Sequence, residues 1–233
     1  MTKEGSRAAR RYETAFFVRL LNGFGVRRLY HGVRSPLPGT LFVSNHISWT
    51  DIPLLAAALN ADFVAKSEIA RWPVVGRLAR RLNPVFVARN GKGCVRSQAD
   101  AIRERLAAGR SVILFAEGTT SVGDTVLPFR SSLFEAADTA RLIQPLTILY
   151  SETDSNPLPP DRMREIAWID DDGLVSGALR VARKHTLAQV MFLPPVAAIP
   201  NRKLLAQACW GLIEAAYRER AIRDAEPPEW RKW

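Results

Sequence analysis

His46 and Asp51 stand five positions apart in the stretch LFVSNHISWTD (41–51). An imidazole that donates one ring N–H to a carboxylate has its tautomer fixed, and its other nitrogen can then take a proton from a hydroxyl. The chemistry open to such a pair is general base catalysis. The spacing alone admits a plainer alternative, in which Asp51, followed by Ile52 and Pro53, caps a helix and His46 is a structural histidine. Asn45 shares the short polar loop with His46. Two further stretches carry side chains of chemical interest. PVFVAR (84–89) ends on Arg89, a planar cation suited to bidentate contact with phosphate or carboxylate, or to a surface ion pair. FAEGTTS (115–121) holds Glu117 and then Gly118, which permits a left-handed turn. The hydroxyls and amides of Thr119, Thr120 and Ser121 can hold a polar head group or form an ordinary turn. The chain has no GxSxG elbow, no CxxC, no metal-type His cluster and no P-loop, and Arg28 and Arg96 stand where GFG (23–25) and GKG (91–93) would need a third Gly.

A sheet edge is what can bring such residues together. LFVS (41–44) reads as a buried strand, and IPLLAAAL (52–59) as the helix behind it. Further strands are expected at 62–65, 84–89, 111–118 and 144–150. Helices are expected at 97–109, where Ser97 can cap and Gly109 can stop the helix, and at about 131–140. The segment 66–82 reads as two helical pieces split at Pro73. REIAWID (164–170) and AQVMFLPPV (188–196) read as strands with a helix near 173–184 between them, and 201–223 as a final helix. Alternation of this kind predicts an α/β fold: one domain with a mixed, largely parallel central sheet flanked by helices. His46, Arg89 and Glu117 then each lie at the carboxyl end of a strand, where ligands of such sheets collect.

The 233 residues suffice for one large core, and two isolated cysteines, Cys94 and Cys209, point to a reducing compartment rather than a disulfide framework. The net charge of +10 is uneven: residues 1–34 carry +6, residues 35–65 carry −2, residues 66–110 carry +8, and the remainder −2. An excess confined to the first half suits an anionic partner such as a membrane surface, a nucleic acid or an acidic carrier. Residues 7–24 suit a helix with Arg7, Arg10, Arg11 and Thr14 on one face and Ala8, Ala9, Tyr12, Ala15 and Phe16 on another. Such a basic amphipathic helix lies in a membrane interface or packs as a surface helix. No apolar run reaches the ~20 residues of a spanning helix, and no signal-peptide layout is present. The expected place is the cytoplasmic side, lying on the membrane, with residues 1–34 as the associating segment and 35–233 as the domain.

Taken together, these stretches resemble the glycerolipid acyltransferases typified by bacterial 1-acyl-sn-glycerol-3-phosphate acyltransferase. NHISWTD matches the NHxxxxD block, NPVFVAR the block ending in arginine, FAEGTTS the block F-P-E-G-T-R-S, and IQPLTI (143–148) the short block with a central proline. AKSEI (65–69) and LPFRSSLFEAA (127–137) resemble the intervening stretches, so the likeness covers about residues 40–150. It implies that His46 is the general base and Asp51 its orienter. It implies that Lys66 and Arg89 hold an anionic head, that Glu117, Gly118, Thr119 and Thr120 shape the acceptor site, and that Asn45 and Pro145 support it. The implied reaction moves an acyl group from acyl-CoA or acyl carrier protein to a lyso-lipid hydroxyl directly, with no cofactor and no metal. Ala116 replaces the usual proline and Thr120 the usual arginine of the third block. The EGTTS variant is similar to the lyso-ornithine lipid acyltransferase branch, so lyso-ornithine lipid stands beside lysophosphatidate as the implied acceptor.

Two other classes compete. A nucleic-acid-binding protein would fit the pI of about 10.3, but the basic residues are spread over helices and loops with no aromatic-and-basic strand signature, and no nucleic acid is expected. A catalytically silent lipid-binding relative would most simply have lost the pair that His46 and Asp51 keep.

Overall fold

Short β-branched runs separated by helices form a single mixed sheet in this chain. A computed structural model describes residues 7–66, 85–87, 94–152, 156, 158–169, 172–182, 185–197 and 199–225. In chain order the elements are α1 (Arg7–Gly23), β1 (Val26–His31), β2 (Thr40–Ser44), α2 (Asp51–Ala58), β3 (Ala61–Lys66), β4 (Val85–Val87), α3 (Cys94–Ala107), β5 (Ser111–Phe115), β6 (Leu142–Ser151), α4 (Pro160–Ile166), α5 (Leu174–Ala182), β7 (Thr186–Phe192) and α6 (Arg202–Ala225). The strands lie in the order β1-β7-β6-β2-β5-β3-β4. Every neighbouring pair is parallel except β6 with β7.

β2 lies between β5 and β6 and is buried at every residue, which explains its unbroken apolar run. The register sets Ser44 opposite both Phe115 of β5 and Leu146 of β6. The loops that follow β2 and β5 therefore leave the sheet side by side. Leu54 and Leu55 of α2, Ile102 and Leu106 of α3, and Cys209 and Ile213 of α6 are buried against the sheet. Each large aliphatic side chain buried in this way contributes about 1.5–3 kcal/mol.

Several expectations change in the folded chain. Residues 26–31 form an edge strand that local pattern does not single out, because its arginines and tyrosine lie along a half-exposed edge. REIAWID is not a strand: Pro160 near the helix start and Asp161 in the first turn open α4, which takes in residues 164–166. The segment 131–140 folds as two 3-10 turns, Ser131–Phe134 and Ala137–Thr139, anchored by buried Phe134 and Ala137. β5 ends at Phe115, before the expected 118, and Gly118 turns the chain with φ of 70°. The expected helical pieces about Pro73 lie outside the described residues.

α1 docks through a face that the helical wheel does not single out. Phe17 and Leu21 are buried, and Arg10 donates to the carbonyls of Ala56 (2.9 Å) and Leu59 at the carboxyl end of α2. Arg34 donates to the carbonyl of Ala58 in the same turn. Two cations thus satisfy carbonyls that a helix end leaves without partners. Tyr12 and Phe16 point outward, 77% and 43% exposed. Some of the charge of the first half is likewise internal: Arg105 and Arg110 both pair with buried Asp62 of β3. No helix among the described residues is long and apolar enough to cross a membrane.

Candidate active site

The polar loop between β2 and α2 is held from four directions. The Asn45 side chain lies against β6 just past its last pair with β2, donating to the Ile148 carbonyl (2.9 Å) and accepting from the Ile148 N–H (2.8 Å), so it extends the ladder where β2 stops. The His46 carbonyl accepts from the Ser121 N–H (2.8 Å), and the His46 N–H donates to Glu117 Oε1 (3.0 Å). Ile47 is buried in the core, and its carbonyl accepts from the Trp168 N–H (3.0 Å). Backbone groups that would be orphaned in a buried loop are thereby satisfied.

Within this frame His46 and Asp51 meet. His46 Nδ1 lies 2.7 Å from Asp51 Oδ2. The same oxygen accepts the N–H groups of Ile47 (2.7 Å) and Ser48 (2.9 Å). Asp51 is therefore not the helix cap that its position also allowed. Thr50 holds the cap position with no side-chain cap bond, and the Asp51 carboxylate turns back toward the loop. A carboxylate accepts only, so Nδ1 carries the proton and Nε2 is left with its lone pair. The imidazole stacks on Phe115, with ring centroids 3.9 Å apart and planes 13° apart. The Asp51 side chain is fully buried, whereas that of His46 is 16% exposed. The pair is shielded on the carboxylate side and reachable on the imidazole side.

Glu117 is buried beside the pair. Burial pushes its carboxyl up to about 8, the Asp51 charge acts in the same direction, and the His46 and Leu127 amides oppose both. Near neutral pH the group is largely protonated. Its Oε2 has no hydrogen-bond partner among the described residues. Gly118 is required by its conformation and by its neighbour: a methyl added there would approach Arg130 Cδ to 2.9 Å. Arg130 itself is exposed, makes no ion pair with another described residue and lies against this turn.

The other expected site residues fall into four groups. Thr119 is exposed. The Thr120 hydroxyl donates to the Trp168 carbonyl and the Ser121 hydroxyl to the His46 carbonyl (3.3 Å), so both tie loops together, where a head-group role was expected. Pro145 is buried in β6 opposite Val43, and its carbonyl accepts the Leu193 N–H (3.0 Å). Lys66 closes β3, with its side chain outside the described residues, and Arg89 lies outside them altogether. Sequence reasoning misses Phe115, Arg130 and Tyr150. The first opens the quoted motif FAEGTTS and the second lies in LPFRSS. Tyr150 is far from either in sequence, yet its hydroxyl reaches Asp51 Oδ1 at 2.5 Å. No group of three or more His, Cys, Asp or Glu among the described residues is placed to hold a metal ion.

A family model described as Acyltransferase matches residues 28–149. The chain is 36% identical over 231 residues to the lyso-ornithine lipid O-acyltransferase of Brucella abortus, covering 92% of this chain and 84% of that protein. It is 39% identical to the protein of the same name from Rhizobium meliloti over 171 residues, 70% of this chain and 59% of that one. It is also 38% identical over 99 residues to the 1-acyl-sn-glycerol-3-phosphate acyltransferase of Neisseria gonorrhoeae, 42% of this chain and 39% of the relative. The crystal structure of the 1-acyl-sn-glycerophosphate (LPA) acyltransferase PlsC from Thermotoga maritima shares the fold, with a TM-score of 0.66 at 21% identity over 98% of this chain and 86% of that one. A sheet that sets an oriented histidine beside the EGT turn, and a family match over more than half of the chain, lead to one statement: this chain belongs to the acyltransferase family.

Proposed function

We propose that the protein is a lyso-lipid O-acyltransferase of membrane lipid synthesis, with His46 as the general base. The observation that carries this reading is the 2.7 Å bond from His46 Nδ1 to buried Asp51, which leaves Nε2 uncommitted on the open side of the imidazole. The acceptor hydroxyl gives its proton to Nε2 as its oxygen attacks the thioester carbonyl of acyl-CoA or acyl carrier protein. The new C–O ester bond forms, the C–S bond breaks, and the thiolate leaves with the proton held by the imidazolium. No acyl-enzyme is needed. Base catalysis of this kind contributes about 10²–10⁴-fold. The buried carboxylate stabilises the imidazolium as it forms, and stacking on Phe115 keeps the ring from swinging away.

Lyso-ornithine lipid is the proposed acceptor, ahead of lysophosphatidate. Two observations support this: the names of the relatives that share most of this chain, and the threonine at position 120, where an arginine would add a cation for a phosphate. Thr120 here binds a backbone carbonyl. Lys66, Arg89 and Arg130 are the proposed contacts for the anionic part of the head group, and the buried Glu117 shapes the site by holding the His46 amide. The proposed setting is the cytoplasmic face of the inner membrane, held peripherally by the outward Tyr12 and Phe16 and the basic first half.

The decisive experiment is thioester release and lipid product formation with lyso-ornithine lipid and lysophosphatidate, for wild type and His46→Ala. Acylation of lyso-ornithine lipid that disappears in H46A is expected. Full activity in H46A refutes the mechanism. Efficient acylation of lysophosphatidate alone refutes the acceptor.

A further inference from the structure

We infer that Tyr150, from the far end of β6, is a positioning residue of the transfer reaction, whose hydroxyl clamps the free oxygen of Asp51 and so holds the His46 imidazole in place. This rests on the reading of His46 as the base. The Tyr150 Oη lies 2.5 Å from Asp51 Oδ1 and 2.6 Å from Thr50 Oγ1, and the side chain is buried. A phenol has one proton, and a carboxylate cannot donate, so the Tyr150 proton goes to Asp51 and Thr50 is the donor to Tyr150. Bonds therefore run in one direction, from Thr50 to Tyr150 and from Tyr150 to Asp51.

The other carboxylate oxygen already takes three N–H groups, from His46, Ile47 and Ser48. The terminal torsion of an aspartate is broad and roughly two-fold, so one clamped oxygen leaves the plane of the carboxylate loosely held. With Tyr150 on the second oxygen, rotation breaks a bond at either end. The loop residue Thr50 acquires a reason within NHISWTD that spacing does not supply. Fixed partners of this kind around an orienting group set the geometry of the group that reacts. The alternative is a tyrosine kept for packing, whose hydroxyl only avoids being orphaned.

Tyr150→Phe keeps the ring and removes the hydroxyl. The full chain is assayed with the thioester and lyso-lipid panel, and unfolding is followed by circular dichroism. The expected result is a kcat lowered about tenfold, with KM for thioester and lyso-lipid within twofold of wild type. The same substitution in an Asp51→Ala background should cost less than twofold in residual radiolabelled acyl transfer, because no side chain remains at position 51 for the phenol to hold. Full kcat in Y150F, or a loss that appears in KM with kcat intact, overturns the inference. An equal tenfold loss in the D51A background also overturns it. Where D51A is unfolded or falls below detection, the division between kcat and KM decides. Wild type that acylates no lyso-lipid, or an active H46A, refutes the functional reading and this inference with it. An active wild type, an inactive H46A and an unchanged Y150F refute Tyr150 alone.

Discussion

Two substitutions at Asp51 separate its place in the fold from its place in the chemistry. Four donors converge on this side chain: His46 Nδ1, the Ile47 and Ser48 N–H groups, and the Tyr150 hydroxyl. Asp51→Ala leaves all four without an acceptor. An unmade hydrogen bond in a buried site costs about 1–3 kcal/mol. Water reaches the partly exposed His46 and the phenol can turn toward Thr50, so the two backbone N–H groups carry most of the loss, roughly 2–6 kcal/mol. Against a total stability of about 5–15 kcal/mol this is severe. Asp51→Asn behaves differently. Its carbonyl oxygen can sit at the Oδ2 position and keep three N–H donors, while its NH₂ meets Tyr150, whose hydroxyl can reverse and donate to Thr50. The fold should lose no more than about 1–2 kcal/mol, but the charge that stabilises the imidazolium is gone, and kcat should fall roughly 10²–10⁴-fold. Urea unfolding by circular dichroism and thioester-release kinetics measure the two effects on the same preparations. A D51N enzyme within threefold of wild-type kcat refutes the role of the pair, and a D51A protein as stable as wild type refutes the assignment of its donors.

Three further outcomes follow from other parts of the structure. The Glu117 carboxyl is raised from 4.5 to about 8, so between those values the folded chain holds a proton that the unfolded chain releases. Its contribution to stability therefore falls as pH rises through that window, by at most about 1.4 kcal/mol per unit. Glu117→Gln should lack this slope, and urea midpoints at pH 5, 6.5 and 8 should move in the variant's favour as pH rises; parallel curves would count against it. Arg130→Ala should raise the KM for the lyso-lipid about tenfold and leave the thioester KM unchanged in steady-state kinetics, and an unchanged lyso-lipid KM removes Arg130 from the acceptor site. Tyr12→Glu with Phe16→Glu should reduce co-sedimentation with anionic vesicles severalfold at an unchanged melting temperature. Point changes are the right probe here, because deleting α1 would expose the core around Phe17 and Leu21; undiminished sedimentation rules out this face as the contact.

Much of the molecule is determined by short-range sequence. The apolar run of β2, the helix behind it and the alternation that follows are set by local preference and burial, so the α/β class is legible without coordinates. The His46–Asp51 pair is legible for the same reason, since both residues lie in one loop whose length nearly dictates their meeting. Legibility fails where the partner is distant. β1 is a strand because β7, which follows it by more than 150 residues, gives it an edge to pair with. REIAWID has strand-like residues, but the prolines ahead of it start a helix instead. Thr120 and Ser121 look available to a ligand until Trp168 and His46 are seen to take their hydroxyls. Tyr150 is the clearest case. Nothing local distinguishes it from any tyrosine at the end of a buried strand, and only the parallel register of β2 with β6 brings its hydroxyl to Asp51. The sequence alone determines which residues can do the chemistry. The tertiary structure decides which groups hold them still, because those groups arrive from strands whose pairing no local pattern encodes.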